Sequence, residues 1–281
     1  MITIYIVLVF FAPLVLVSLV FVGIIKNWLF LLIKYSYKNV VMDRIKNILF
    51  IDIETVAASI DFQSLSPEMK AHWTNKSSYF PTFTNDDASI SSLYEQKAGI
   101  YAEFAKIVCI SIGRFYKEGD EWKFVVKTIA QHDEELLLQE FLALVSKRQS
   151  ISPIIIFCGH NIKEFDLPFI CRRLLINGLE IPAALQLSGK KPWEIVHIDT
   201  LELWKFGDYK HYISLALLAH LFAIPSPKDD ICGSDVARVY WHENDLHRIA
   251  TYCAKDVYTV AQVFLKLKGL ALDPMPPLLE V

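Results

Sequence analysis

The chain has 281 residues, 53% hydrophobic and 21% charged, which excludes a disordered polymer and suffices for one large domain or two small ones. Its formal charge is −3, but residues 1–41 contain Lys26, Lys34 and Lys38 and no acidic residue, so residues 42–281 hold 25 basic against 31 acidic residues, a formal −6. That balance argues against a broad basic surface gripping duplex DNA and leaves room for a local groove.

Ile2 to Ile25 is an uncharged run of 24 residues, about 36 Å as a helix against a hydrocarbon core of about 30 Å. Lys26, Lys34, Lys38, Arg44 and Lys46 follow it and no charged side chain precedes it, so the positive-inside rule puts the remainder in the cytoplasm, at the inner face of the membrane. A cleaved signal peptide fits less well, because no basic region precedes the run and no small-x-small site follows it. Met42 stands directly before the polar stretch Asp43-Arg44-Ile45-Lys46 and offers a translation start of its own. Residues 1–41 are therefore a transmembrane anchor or an upstream-start artefact, outside the domain in either case. The five cysteines, Cys109, Cys158, Cys171, Cys232 and Cys253, all lie beyond this segment, are odd in number and form no C-x-x-C pair, the usage of a reducing compartment.

No repeat or long linker divides the rest, which reads as one domain over 42–272 with a tail at 273–281. Asn47 to Glu54 is an almost continuous apolar run of strand length, as a strand buried on both faces requires. Residues 57–105 are more polar and read as a mobile insertion, with a helix start at Ser66-Pro67-Glu68 and a further helical stretch near 91–105. Strands are expected at 107–115 and 122–130, joined by a turn at Lys117-Glu118-Gly119-Asp120. Asp133-Glu134-Glu135 opens a helix to about Lys147, where acids complement the dipole. A strand at 154–157 breaks at Gly159 and gives way to a helix ending near Asn177-Gly178; another strand is expected at 194–199. Helices follow near 213–222, 235–241 and 246–268, and Pro274, Pro276 and Pro277 end the ordered part. Strand hairpins first and strand-helix units afterwards make an α/β fold, a mixed sheet flanked by helices.

Three carboxylate motifs stand out. In Asp52-Ile53-Glu54-Thr55 the period of two puts Asp52 and Glu54 on one face at the C-terminal end of an apolar strand. Two such acids repel and call for a cation, although solvated acids at a strand end would look the same. In Gly159-His160-Asn161-Ile162-Lys163-Glu164-Phe165-Asp166-Leu167-Pro168-Phe169 the residues follow a strand directly, at the sheet edge where ligands of α/β proteins bind. Asp166 before Leu167-Pro168 also reads as an ordinary helix N-cap. In Tyr252-Cys253-Ala254-Lys255-Asp256, Tyr252 and Asp256 share the apolar stripe of a helix with Ile249, Val257, Val260 and Phe264. Buried there, Asp256 needs a metal or a hydrogen bond from Tyr252.

In this order the motifs D-I-E-T, H-N-x-x-x-F-D-x-P-F and Y-C-x-K-D-V resemble the three exonuclease motifs of the DEDD superfamily of 3′–5′ exonucleases. Tyr252 four positions before Asp256, with Thr251 where the other branch has histidine, points to the tyrosine branch. The chain is similar over roughly residues 46–270 to stand-alone bacterial exonuclease-like proteins related to the proofreading domain of family B DNA polymerases, a similarity that includes Ala98–Ser111 and Ser226–Ser234.

The resemblance implies a ribonuclease H-like fold with a five-stranded mixed sheet and helices on both sides. It implies that Asp52, Glu54, Asp166 and Asp256 hold two Mg²⁺ or Mn²⁺ ions and that Tyr252 orients the attacking water. Asn161 becomes a candidate contact for the terminal nucleotide and Phe165 for its base. Four acids without a dedicated histidine suit Mg²⁺ or Mn²⁺ better than Zn²⁺. The expected substrate is the 3′ end of a single-stranded nucleic acid, with DNA favoured; a ribonuclease using the same acids and a binding module without turnover are the alternatives. His160 reads as a structural histidine, and Arg172-Arg173 and Lys190-Lys191 as phosphate contacts or solvated faces.

Overall fold

β1 (Ile48–Ala57) is buried along its first four residues, Ile48 to Ile51, and acquires acids only as it leaves the core. The computed structural model to which it belongs describes residues 45–84, 86–208, 210–225, 231–270, 272 and 274–281. The apolar run 2–25 and the start at Met42 lie outside the described residues, among which no helix is long and apolar enough to cross a membrane.

Residues 58–104 fold around Trp73. α1 (Pro67–Ser77) starts at Ser66, whose hydroxyl accepts the Met69 N–H, and α2 (Asp87–Lys97) starts at Asp86 in the same manner. Trp73 is fully buried, edge-on to Tyr94 at 5.3 Å and Phe104 at 5.1 Å between ring centroids, with Nε1 donating to the Ile90 carbonyl at 3.2 Å. The insertion thus has an aromatic core of its own. The helix expected near 91–105 stops at Lys97, and a 3-10 turn at Ala98–Ile100 leads into β2 (Ala105–Glu118).

β2 and β3 (Glu121–Ala130) form the expected hairpin, turning at Gly119-Asp120 with Gly119 at φ +59°. α3 (Glu134–Ile151) follows, then β4 (Ile156–Gly159), α4 (Asp166–Ile176), β5 (Ile198–Asp199), α5 (Thr200–Lys205), α6 (Leu215–Leu221), short helical turns at Gly233–Glu243 and α7 (Leu246–Leu267). β5 is shorter than the strand expected at 194–199. Residues 192–194 make a 3-10 turn, and buried His197 accepts the Phe157 N–H on Nδ1 at 3.2 Å while its Nε2 meets the Ala184 carbonyl at 2.9 Å. A side chain therefore takes a bond that a longer strand would have supplied.

The strand order is β5-β4-β1-β2-β3-β6, with β2 antiparallel to the rest. This is the mixed sheet of the expected ribonuclease H-like fold with a sixth strand added. The tail does not leave the fold at the prolines: β6 (Leu278–Glu280) pairs with Phe124–Val126, occupying the open edge of β3. The Tyr258 hydroxyl donates to the Pro276 carbonyl at 2.7 Å and helps deliver the tail there.

Leu49, Ile51 and Ile53 pack on one face with Leu137, Leu138 and Phe141 of α3 and Leu167 and Ile170 of α4. On the other face Phe50 meets Phe264 of α7 at 5.7 Å. Helix α7 approaches β2 closely because of Gly113, where a Cβ would lie 2.6 Å from Val257 Cγ1.

Glu134 does more than complement the dipole at a helix start. It is buried, accepts the Ile107 N–H at 2.7 Å, Arg173 Nε at 2.9 and 3.1 Å and Asn177 Nδ2 at 3.1 Å, while Arg173 Nη1 donates to the Ala102 carbonyl at 2.8 Å. Arg173 is thus committed to a buried network joining α3, α4 and the start of β2 rather than offered to phosphates. Arg172, Lys190 and Lys191 are exposed.

Candidate active site

The alternation of β1 puts Phe50, Asp52 and Glu54 on the α7 face, and the apolar residues give way to acids where the strand passes beyond β4. Ile48, Leu49 and Phe50 pair with β4, and that pairing ends at Phe50 opposite Cys158. Beyond it the Ile53 N–H has no strand to bond. Asp166 Oδ1 accepts it at 3.2 Å, satisfying a buried backbone donor and tying the start of α4 to β1. The N-cap reading of Asp166 is therefore corrected: Phe165 occupies the cap position without a side-chain cap bond, and Asp166 is the first helical residue, 3% exposed.

From the opposite side α7 presents Tyr252, Cys253 and Asp256. The Tyr252 hydroxyl hydrogen-bonds Asp256 one turn away. Buried Cys253 directs Sγ at Asp52, 3.5 Å from its carbonyl oxygen and 3.6 Å from Oδ2. Ligand atoms of Asp52, Glu54 and Cys253 lie within 4.8 Å of one another. Burial holds the Cys253 thiol well above its ordinary pKa, with contact to Cys109 adding to the effect. At neutral pH it is a thiol donating to Asp52, not a thiolate ligand.

Asp52, Glu54, Asn161, Phe165, Asp166, Tyr252 and Asp256 all border one cleft of about 770 Å³. All seven residues singled out from the motifs are thus brought together. The folded insertion supplies Gln96, Gly99 and Ile100 to the same cleft, and Thr55 Oγ1 donates to the Gly99 carbonyl at 2.7 Å, fastening the insertion to β1. Phe165 is half-buried, its ring 5.4 Å from that of Phe169. His160 is structural, as expected: Nδ1 lies 2.9 Å from Thr200 Oγ1 and Nε2 2.8 Å from the Ile213 carbonyl, and burial lowers its pKa.

The acids raise one another's proton affinity. Burial, then the charges of Asp166 and Asp256, pushes Asp52 well above the usual carboxylate range; burial, then Asp52 and Asp256, does the same to Glu54. Asp166 is pushed by burial to about 7, against the pull of its own N–H and that of Ile53. Asp52, Glu54 and Asp166 have no ion-pair partner among the described residues. Tyr252 is raised by burial and by Asp256 and Glu54, which keeps its hydroxyl protonated.

Residues 100–272, more than half of the chain, match the family described as predicted 3′–5′ exonucleases related to the exonuclease domain of PolB. The chain belongs to this family. The match contains the second and third carboxylate motifs; Asp52 and Glu54 precede it. Among solved structures, the family B DNA polymerase from the hyperthermophilic archaeon Pyrobaculum calidifontis is similar at 14% identity and a TM-score of 0.47. The similarity covers 79% of this chain and 24% of the polymerase, so the chain spans about a quarter of that protein. None of the curated proteins matches.

In this exonuclease-like domain the crowded acids make stability depend on pH in a definite sense. Folded Asp166 holds a proton that the unfolded chain has already released, so its contribution is complete below about pH 4 and is lost as pH rises through about 7, and the raised Asp52 and Glu54 act in the same sense. The metal-free protein is expected to melt at a lower temperature at about pH 7.5 than at about pH 5, and Mn²⁺ should raise the melting temperature more at the higher pH. Thermal unfolding followed by circular dichroism, with Asp166→Asn as the control that flattens the trend, checks this; an equal metal effect at both pH values would contradict it.

Proposed function

We propose that the chain is a metal-dependent 3′–5′ exonuclease that removes nucleotides from the 3′ end of single-stranded DNA. The observation that carries the reading is the convergence of Asp52, Glu54, Asp166, Tyr252 and Asp256 on one cleft, drawn from β1, α4 and α7. Membership of the exonuclease-like family supports it.

The donor set fits hard divalent cations. Buried carboxylates that raise one another's pKa without an ion-pair partner need positive charge, and an all-oxygen set with Cys253 held as a thiol suits Mg²⁺ or Mn²⁺. Asp52, Glu54, Asp166 and Asp256 would hold two such ions. Bound there, the ions would supply charge neutralisation at the scissile phosphate and a water activated near neutral pH.

The chain's own groups do the rest. Water oxygen adds to the terminal phosphorus, the P–O3′ bond breaks, and a nucleoside 5′-monophosphate leaves behind a new 3′-hydroxyl. The protonated Tyr252 hydroxyl, steadied by Asp256, orients that water. Asn161 contacts the terminal nucleotide and Phe165 packs against its base, a contact tolerant of sequence. The net −6 outside residues 1–41 suits short single-stranded ends better than tight duplex binding. We place the domain on the cytoplasmic side from the cations that follow the apolar run 2–25.

The full chain with Mg²⁺ or Mn²⁺ should shorten a 5′-labelled DNA strand one nucleotide at a time, faster than the matching RNA. A faster RNA ladder would reassign it as a ribonuclease. Retention of the strand without products, under both metals, would reduce it to a binding module.

A further inference from the structure

Asp199 ends the shortest described strand of the main sheet core, opposite Gly159, and is 3% exposed. Three backbone N–H groups converge on its carboxylate: those of Asn161 and Leu201 on Oδ1, both at 2.9 Å, and that of Lys163 on Oδ2 at 3.1 Å. The Leu201 bond is the ordinary cap of α5. The other two come from the turn between β4 and α4, 38 and 36 residues earlier in the chain.

That turn has an unusual backbone at its centre. Asn161 sits at φ +66°, in the left-handed region, which asparagine enters more readily than other non-glycine residues but at more cost than glycine. A buried carboxylate receiving two of the turn's N–H groups offsets such strain through charge-assisted bonds. The neighbours of Asp199 grip the same turn: Thr200 Oγ1 donates to the Gly159 carbonyl at 3.1 Å, and Lys163 Nζ pairs with Glu202 at 2.7 Å. Gly159 leaves no slack, since a Cβ there would lie 1.9 Å from Ile162 Cγ2 and 2.8 Å from the Ile51 carbonyl.

The bracket has one member in the cleft. Asn161 borders it, whereas Asp199 stands behind the wall and touches none of the space a substrate would fill. We propose that Asp199 is a positioning residue that holds Asn161 in the geometry needed to contact the 3′-terminal nucleotide, and so governs substrate binding without meeting substrate. This rests on the reading of the cleft as an exonuclease site. It assigns to the 199–202 segment a function that the three motifs do not contain.

The test is a double-mutant cycle in the full chain, with Mn²⁺ and a 5′-labelled DNA strand. Asp199→Ala removes the acceptor of the Asn161, Lys163 and Leu201 N–H groups together. It should raise KM about tenfold with kcat changed less than about twofold, the signature of lost binding shared by ground and transition states. Asn161→Ala should do the same, and the double variant should be no worse than Asn161→Ala alone. Asp199→Glu, run in parallel, keeps the charge but displaces it by one methylene and should raise KM in the same direction. An unchanged KM in either variant whose melting curve shows it folded, or KM effects that multiply in the double variant, overturns the inference while leaving the exonuclease reading intact. A wild-type chain inert on the strand overturns both.

Discussion

Asp52→Asn is expected to lower single-turnover hydrolysis of a 5′-labelled strand by about 10³-fold or more while leaving the metal-free melting temperature at or above that of the wild type. The rate loss follows from removing a carboxylate that would hold the ions, whose charge stabilisation in the transition state is worth several kcal/mol, where about 1.4 kcal/mol is tenfold. The stability gain follows from the electrostatics of the site: Asp52 is raised by burial and by Asp166 and Asp256, and in turn raises Glu54, so a neutral amide of the same shape relieves repulsion. Asp256→Asn should lose activity to a similar extent. Loss of activity by misfolding would lower the melting temperature instead, so the two measurements separate chemistry from structure. Activity within about tenfold of wild type in both variants would remove Asp52 and Asp256 from the catalytic set.

Glu134→Ala is expected to destabilise the folded chain by about 3–5 kcal/mol, the range for breaking a buried ion pair by removing one partner. The side chains of Glu134 and Arg173 are 7% and 11% exposed, and the deletion would leave the Arg173 guanidinium without its carboxylate and the Ile107 N–H without an acceptor. Arg173→Ala should cost a comparable amount by leaving the Glu134 charge uncompensated. Joint replacement by Glu134→Leu and Arg173→Met should cost less than the two single losses added, since no buried charge remains. It should not restore wild-type stability, because the Ile107 N–H and the Ala102 carbonyl still lose their partners. Urea unfolding of the four proteins, read as midpoints at constant slope, decides this. Additive single losses would show that the pair is not coupled.

The two effects differ in how far they could be read before folding. Asp52 and Glu54 declare themselves locally: a period of two at the end of an apolar strand sets their shared face, and the Tyr252-to-Asp256 spacing sets one turn of a helix. Glu134 declared only part of what it does. Its position in the first turn of a helix is where solvated acids are common, and nothing within several residues announces Arg173 or the Ile107 N–H. Asp166 misled in the same way, since Asp before Leu-Pro reads as a cap, whereas its partner is a backbone donor 113 residues away. Asp199 passed unnoticed because a strand-end Asp before Thr-Leu reads as an ordinary cap, and one of its three bonds is just that.

Amino-acid order by itself indicated the first four strands and the main helices, the acids that share a face and, through its motifs, the likeness to the exonuclease family and the seven residues that meet in the cleft. Each follows from short-range periodicity or from a motif of a few residues. Only the tertiary structure decided that the insertion folds on Trp73, that residues 278–280 complete the edge of the sheet, that Arg173 is committed to internal bonds, and that Asp199 bonds the turn that carries Asn161. Those outcomes turn on which buried donor or open strand edge lacks a partner once the sheet is assembled, a property of distant segments brought together that no local stretch of the chain contains.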